Sequence, residues 1–285
     1  MVPPREPGYG AVVRTKWREE SGLIHSMNWR DELAALMDVI ETKDPKAAIN
    51  EIVDLSASVP EEEAGTFFRE DSAAGHYAVV ARQVYSEYIL RMENAALDNI
   101  LAMEIRSGMQ FGQVADPEAK MAFDRVADIF ERLILEPDMR FVMIGCGQLP
   151  VTAIHVIERA GCANVICMDV VERAIDASER LKAIFGWPSL HPVHCDGKDF
   201  DFGNADVVYI ANMVRPKGAV IEQVARTAPP GCQIVVREPY GLGRLWADLG
   251  EASLPESLFV SSYGNGSRYL SRDAFLSWHG LTSGA

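Results

Sequence analysis

The sequence predicts an α/β protein in which a doubly wound parallel sheet follows an all-helical N-terminal domain. Apolar residues recur at helical spacing from Trp29 to about residue 135, whereas short apolar runs separated by turns follow from Arg140 onward. Near-continuous apolar strands that alternate with amphipathic helices are typical of a parallel sheet covered on both faces. We therefore predict a helical domain over residues 1–125 and a sheet domain over residues 126–285.

Composition and charge exclude several functional classes. The 285 residues are 48% hydrophobic and 24% charged, which suits one large or two modest globular domains. The formal net charge of -14 repels a phosphate backbone, so nucleic acid is not an expected partner. No apolar run reaches the length of a membrane span, and the residues after Met1 do not read as a signal peptide. We expect a cytoplasmic protein that does not contact a membrane. The sequence is compatible with a homodimer.

The N-terminal half contains a series of helical patterns. Residues up to about 20 are rich in Pro, Gly and charge, and we expect a loose arm there. From Trp29 the apolar residues fall at steps of three and four, and residues 77–106 form the strongest helical stretch because they are long and lack Pro. Another amphipathic pattern covers residues 117–135. We expect these helices to cover the ligand end of the sheet as a lid.

The C-terminal half contains five apolar runs that predict parallel strands. They read RFVMIG, ANVICMD, LHPVHCD, ADVVYIAN and CQIVVRE, and a turn and mostly a helical segment follow each of them. Two later runs, LFVSSY and SRYLS, predict a closing antiparallel pair around the turn Gly264-Asn265-Gly266.

A glycine turn lies between the first predicted strand and its helix, in FVMIGCGQLPVTAIHV. In a doubly wound sheet this turn brings the backbone closest to the ligand, and Gly145 and Gly147 permit that approach. The dinucleotide fingerprint has a third glycine where this sequence has Pro150, which offers no N–H group. The turn therefore favours an uncharged nucleoside with an amino-acid tail over a pyrophosphate, with Cys146 and Leu149 beside it.

Polar residues also follow three other strands. Asp169 ends the second strand, where a carboxylate can bind both ribose hydroxyls, and Asp196 with Gly197 ends the third, where it can meet an adenine amine. Asn212 follows the fourth strand, next to the expected acceptor. The alternative for each of these polar side chains is simple capping of the next helix. Together they resemble a class I S-adenosylmethionine (SAM) binding domain of Rossmann-like fold.

A narrower resemblance lies in IGCGQLPVTAI. This stretch is similar to the Gly-x-Gly-Pro-Leu-Pro motif of the nicotianamine synthase family and its bacterial metallophore relatives, with Gln148 in place of the first proline. The segments ADVVYIANMV and VVREPYGLGRLW resemble the fourth and fifth strands of that family. The helical YSEY resembles its Tyr-Ser-Asn-Tyr segment, so the similarity covers roughly residues 80–250.

The resemblance implies that SAM is a co-substrate that gives up its 3-amino-3-carboxypropyl arm. The acceptor would be a small-molecule amine or phenolic hydroxyl, 5'-methylthioadenosine would leave, and the product would belong to metallophore, antibiotic or other secondary-metabolite biosynthesis. A sulfonium has three electrophilic carbons, so the protein selects the reaction by positioning. The alternatives are a small-molecule methyltransferase, a SAM cyclase that forms azetidine-2-carboxylate, and a SAM-binding protein without activity.

Such a transfer needs a base near the sulfonium. Tyr85, Ile89 and Glu93 share one helical stripe, and Tyr88 lies on the neighbouring one. In the nicotianamine synthase family a glutamate after the paired tyrosines is the general base, and Glu93 stands two residues before that spacing. We therefore predict catalytic roles for Glu93, Tyr85 and Tyr88. The alternatives are a solvated helix face for the glutamate and a helix–helix contact for the tyrosines.

Two arginines could bind a carboxylate of SAM or of the acceptor. These are Arg237 at the end of the fifth strand and Arg244 in the turn after it, and an ion pair beside the sheet is the alternative for Arg237. No metal site is predicted, because His191 and His194 would point to opposite faces of one strand. The five cysteines form no CxxC pair and are expected to be reduced thiols.

Overall fold

The computed structural model describes residues 28–106, 108–248, 254–267 and 269–279, so the predicted N-terminal arm lies outside the described residues. Helices fill the part of the chain before the sheet, as predicted. A 3-10 turn at Ile40–Thr42 separates the first two helices. The helices are α1 Trp29–Met37, α2 Pro45–Ser56, α3 Glu61–Glu70, α4 Ala73–Leu101, α5 Phe111–Val114, α6 Pro117–Arg125 and α7 Ala127–Phe130.

Side-chain caps fix where several of these helices begin. The Asp44 and Asp116 carboxylates accept backbone N–H bonds at the starts of α2 and α6, and a proline occupies the first turn of each. The amphipathic pattern over residues 117–135 corresponds to two short helices and not to one. A tighter bond from Val126 N–H to the Phe123 carbonyl ends α6, and α7 stops at Phe130.

The described residues form a seven-stranded sheet in the order β3-β2-β1-β4-β5-β7-β6. The first five strands are parallel, and β7 pairs antiparallel with both β5 and β6. This doubly wound, Rossmann-like arrangement confirms the predicted fold class. The strands are β1 Arg140–Ile144, β2 Asn164–Asp169, β3 Leu190–His194, β4 Val207–Ile210, β5 Gln233–Pro239, β6 Leu258–Tyr263 and β7 Ser271–Trp278.

Three crossover helices link the parallel strands. They are α8 Val151–His155, which continues into a π-helical turn at Val156–Ala160, α9 Glu172–Phe185 and α10 Lys217–Thr227. Within the described residues, no helix combines the length and apolarity that a membrane span requires.

The predicted second strand of the closing pair was misplaced. SRYLS does not pair with β6; the partner is β7, which begins at Ser271. The chain just before β7 is held by the turn after β5 instead, since Tyr240 N–H donates to the Leu270 carbonyl and Gly243 packs against Leu270. Leu270 also has a positive φ of 54°, which interrupts an extended strand.

Alternating strand residues build two cores. One face of the sheet packs against α8, α9 and the segment that contains Phe111 and Phe123, while the other face packs against α10. A third cluster joins α1–α4 to the buried Trp246. Helix α4 belongs to two of them, because Ala81 and Tyr85 lie in the third cluster whereas its last turns lie in the first. The middle of α4 therefore passes over the ligand edge of the sheet, and the division at residues 125 and 126 stays a prediction.

Candidate functional site

A cavity of about 690 Å³ opens at the carboxyl ends of the parallel strands, below α4. Ligands of doubly wound proteins bind at this edge, and the volume is within the usual range for small-molecule sites. Of the predicted site residues, Pro150 and Arg244 do not line the cavity. The predicted residues that line it are Tyr85, Tyr88, Glu93, Gly145, Cys146, Gly147, Leu149, Asp169, Asp196, Gly197, Asn212 and Arg237.

The glycine turn requires its two glycines. Gly145 and Gly147 have φ angles of +76° and +63°, in the region that favours glycine. A Cβ atom on Gly145 would lie 2.5 Å from Val214 Cγ2, and one on Gly147 would lie 2.5 Å from Glu93 Oε1. The turn therefore packs between the residues that follow β4 and helix α4. Pro150 is the N-cap residue of α8.

Asp169 is tied to this turn from the neighbouring strand. Its Oδ2 accepts the Gly147 N–H at 2.9 Å, and its Oδ1 accepts the Val171 N–H at 3.0 Å. The carboxylate thus holds the turn that leads into α9 while it lines the cavity, although it does not cap the helix itself. The contact with this turn is compatible with the cavity position, so the ribose-binding role stays a prediction.

The third strand ends at a second acidic position. Asp196 Oδ2 lies 2.8 Å from Lys198 Nζ, and this ammonium holds the Asp196 pKa below its usual value. The adjacent Gly197 allows close packing, because a Cβ there would lie 2.8 Å from Ile144 Cγ2. Both residues face the same cavity as Asp169.

Glu93 reaches the glycine turn from the middle of α4. Its Oε2 accepts the Gln148 N–H at 3.0 Å, and Asn94 holds the Gln148 side chain by a 2.8 Å bond. Protein atoms surround the carboxyl although the cavity keeps it partly accessible. Burial raises the Glu93 pKa to about 7, the Gln148 N–H opposes that shift, and Asp169 adds to it. The carboxyl therefore exchanges its proton near neutral pH.

Two tyrosines of the same helix form the wall of the cavity. Tyr85 stacks on Trp246 with ring centroids 4.8 Å apart, and burial raises its pKa to about 12. The Tyr88 hydroxyl donates to Glu118 Oε1 at 3.2 Å and lies 2.7 Å from the Tyr269 hydroxyl. Burial raises the Tyr88 pKa well above its ordinary value. Both phenols are neutral at pH 7.

The two predicted arginines have different environments. Arg237 is buried, lines the cavity, and its Nη1 lies 3.1 Å from both carboxylate oxygens of Asp273. Arg244 pairs with Glu61 of α3 and lies outside the cavity lining. Among the described residues, neither atom of the buried Asn212 side-chain amide has a partner in hydrogen-bond geometry, although the amide lies close enough to the Tyr85 hydroxyl to lower its pKa.

The sequence did not single out the cavity-facing stripe of α6. Glu118, Met121, Ala122 and Arg125 stand at positions i, i+3, i+4 and i+7, and all four line the cavity. This helical spacing was the available signal. Tyr209 of β4 and Tyr269 were missed as well, and both belong to the lining.

The described residues contain no group of three or more His, Cys, Asp or Glu side chains that could hold a metal ion. All five cysteines are free thiols, and four of them are buried.

Comparison with known proteins gives the same fold over most of the chain. No family model and no curated protein sequence matches. Three crystal structures of the nicotianamine synthase MtNAS do match: a Glu-to-Gln variant with SAM (TM-score 0.72), MtNAS with MTA and tNA (0.73), and the variant alone (0.71). Each alignment has 15% identity and covers 88% of this chain and 97%, 98% and 97% of the respective MtNAS chains.

The coverage is too large for the sheet alone, since the residues from β1 onward make up only about half of the chain. The alignment must include the N-terminal helices as well. The chain therefore has the fold of the MtNAS structures, including the helices that cover the cavity, and the predicted resemblance is confirmed at the level of the fold.

Proposed function

We propose that this protein is a SAM-dependent 3-amino-3-carboxypropyltransferase that acts on a small-molecule amine or phenolic hydroxyl in secondary-metabolite or metallophore biosynthesis. One observation carries the proposal: a single cavity contains the glycine turn, Asp169 and the proton-exchanging carboxyl of Glu93. The MtNAS structures that share this fold contain SAM in one case and MTA in another. MTA, 5'-methylthioadenosine, is what remains of SAM after its aminocarboxypropyl arm has left.

The residues present fit SAM as the co-substrate. The glycine turn lines the cavity, and its bare backbone at Gly145 and Gly147 lets Val214 and Glu93 pack directly against it. Asp169 would hold the ribose hydroxyls, and Asp196 with Gly197 would border the adenine at the next strand end. The Asn212 amide would offer hydrogen bonds to the polar tail or to the acceptor.

The reaction would be a displacement in line with a carbon–sulfur bond. The lone pair of the acceptor attacks the γ carbon of the methionine arm, the bond from that carbon to sulfur breaks, and sulfur keeps the electron pair as a neutral thioether. The proton of the acceptor passes to the Glu93 carboxylate, whose pKa of about 7 lets it accept and later release a proton near neutral pH.

Tyr85 and Tyr88 would orient the acceptor rather than exchange protons. Their raised pKa values keep both phenols neutral, so they offer a hydroxyl donor and an aromatic face. Tyr88 is itself positioned by Tyr269 and Glu118. Holding two reactants in attack geometry supplies much of the catalysis in a bimolecular displacement.

The position of Glu93 favours a second candidate. Its carboxyl lies directly on the glycine turn, on the side of the cavity where SAM would bind. A base in that place could deprotonate the amine of SAM itself, which would then attack its own γ carbon. This closes a four-membered ring, gives azetidine-2-carboxylate and again releases MTA.

One experiment separates these functions. The purified protein is incubated with SAM, with and without a pooled library of amino acids and phenols, and the products are identified by mass spectrometry. Formation of MTA and an enlarged acceptor only with the library supports transfer. MTA and azetidine-2-carboxylate from SAM alone support the cyclase. S-adenosylhomocysteine would instead mean a methyltransferase, and bound but unchanged SAM would mean a binding protein.

A further inference from the structure

We propose that Arg125 and Arg237 form a carboxylate-binding subsite at the end of the cavity remote from Glu93. The subsite would take the carboxylate of an amino-acid group, which belongs either to SAM or to the acceptor. The proposal rests on the proposed function for the kind of molecule in the cavity, and it names the group by which that molecule is recognised.

The geometry leaves donors without acceptors at this place. The two guanidiniums approach from different elements, Arg237 from β5 and Arg125 from the last turn of α6, and both line the cavity. Arg237 Nη2 and Arg125 Nε are buried and have no partner in hydrogen-bond geometry in the described part of the chain, although the Tyr209 hydroxyl lies beside the Arg237 guanidinium. Asn212 adds an amide to the same cavity, next to the Tyr85 hydroxyl.

The local charges do not balance. Asp273 pairs with Arg237, whereas Arg125 makes no ion pair with any described carboxylate. Tyr85 and Tyr209 are neutral because burial raises the pKa of each to about 12. Two guanidiniums beside one carboxylate leave one positive charge. Arg237 is the largest cause that lowers the Arg125 pKa, to about 10, so the guanidiniums are close enough to repel each other.

A monovalent carboxylate fits this arrangement better than a phosphate. One negative charge offsets the single excess charge, whereas a phosphate dianion would leave a buried negative charge uncompensated. Guanidinium groups bind planar carboxylates through paired N–H bonds. Asp169 ends β2 and Glu93 contacts the turn after β1, whereas Arg237 stands on β5, so the two carboxyls lie on the other side of β4 and suit the cationic part of the same ligand set. The cavity therefore has a cationic side and an acidic side, which suits a ligand that carries a carboxylate and a cationic group.

The first test compares SAM with decarboxylated SAM, which lacks only the carboxylate, by calorimetry. The proteins are the wild type, Arg125→Gln and Arg159→Gln, an exposed arginine outside the cavity lining as a matched control. If the subsite holds the carboxylate of SAM, the wild type and control bind SAM about 10- to 100-fold more tightly than the decarboxylated form. In Arg125→Gln that ratio should approach one while the affinity for decarboxylated SAM stays unchanged.

The second test detects an acceptor carboxylate. Acetate and acetamide, probes small enough for any acceptor pocket, are titrated into the complex with the unreactive analogue sinefungin, and the melting temperature is followed. Stabilisation by acetate but not by acetamide, present in the wild type and absent in Arg125→Gln, assigns the subsite to the acceptor. Equal binding of both SAM forms together with no acetate effect that depends on Arg125 overturns the proposal.

Ligand-free stability distinguishes recognition from a structural role. Removal of one repelling charge should leave the melting temperature of Arg125→Gln equal to or above that of the wild type, while the ligand-induced gain is lost. A clear drop without ligand would mean that Arg125 serves the fold, and this outcome also overturns the proposal. If Arg125→Gln does not fold, Arg125→Lys keeps the charge without the paired donors and should lose part of the discrimination. These are binding tests, so a protein that releases S-adenosylhomocysteine would refute the proposed function and leave the subsite standing.

Discussion

Glu93 accepts the main-chain N–H of Gln148 at 3.0 Å, so a carboxyl from the long helix of the N-terminal region is hydrogen-bonded to the glycine turn of the sheet. The same carboxyl has a pKa raised to about 7 by burial. A polar group placed where it is costly to ionise is a frequent feature of catalytic sites. This contact is the basis of the first three predictions.

Replacement of Glu93 by Gln keeps an oxygen acceptor for the Gln148 N–H but removes the proposed base. We expect turnover to fall by roughly 100-fold or more, while the dissociation constant for SAM changes by less than about threefold. Asp98→Asn is the matched control, because Asp98 is an exposed carboxylate five residues further along α4. Equal activity of Glu93→Gln and the control would exclude Glu93 as the base.

The stability of the protein should depend on the charge of Glu93. Its pKa is higher in the folded state, about 7, than the ordinary value of 4.5, so the folded state binds more protons between these values. The free energy of unfolding should therefore decrease as the pH rises from about 4.5 to 7, by up to roughly 3 kcal/mol. Urea unfolding at pH 5 and pH 8 tests this: Glu93→Gln should match the wild type at pH 5 and exceed it at pH 8. A variant less stable than the wild type at pH 8 would contradict the assigned shift.

Binding of SAM should release protons from Glu93. The sulfonium is a cation, and a cation beside a carboxyl lowers its pKa. At pH 7, where the free carboxyl is partly protonated, calorimetric binding enthalpies should therefore vary with the ionisation enthalpy of the buffer. Glu93→Gln should show no such variation. The same buffer dependence in both proteins would place the proton elsewhere.

Asp169→Ala should weaken SAM binding by about 1 to 3 kcal/mol, the usual loss for hydrogen bonds to a charged group. Some stability should also be lost, because Asp169 accepts the Gly147 and Val171 N–H groups. Asp176→Ala on the exposed face of α9 is the control for a lost aspartate nearby. If calorimetry gives the same SAM affinity for Asp169→Ala and the wild type, Asp169 only holds the two turns whose N–H groups it accepts.

Gly147→Ala and Gly161→Ala form a matched pair. Both glycines have positive φ angles, +63° and +69°, so each alanine should cost about 1 kcal/mol of stability through backbone strain. Only the Cβ at position 147 meets another group, Glu93 Oε1, whereas nothing lies within 4 Å at position 161. We expect Gly147→Ala alone to reduce turnover, by about tenfold or more, through displacement of the base. Similar turnover of the two variants would show that the contact with Glu93 is dispensable.

Local patterns in the sequence predicted much of this arrangement. The parallel strands and the glycine turn carry their own signals, and the spacing of Tyr85 and Glu93 is enough to place them on one side of a helix. Arg125 was missed because its helical spacing from Glu118 fits a solvent-exposed stripe as well as a cavity-facing one. Its environment is created by Arg237 and Tyr209, which lie more than 80 residues away in the sequence.

Tertiary contacts also explain where the predictions failed. The pairing partner of β6 is displaced because Leu270 is held by the turn after β5. Arg244 points away from the cavity since Glu61 of α3 offers it a carboxylate. In both cases the competing contact comes from a distant part of the chain. Patterns within a short segment of the sequence carry no information about such a contact.

Helix α4 is buried in two hydrophobic clusters, which affects how the protein tolerates substitutions. One end of this helix is buried with the N-terminal helices and the other end with the sheet, so α4 belongs to the cores of both parts. If either part unfolds, the other therefore loses core contacts with α4. A substitution that shifts the packing of the first helices should therefore also shift α4 and, with it, the position of Glu93. A substitution among the N-terminal helices is coupled in this way to the geometry of the glycine turn, which Glu93 contacts.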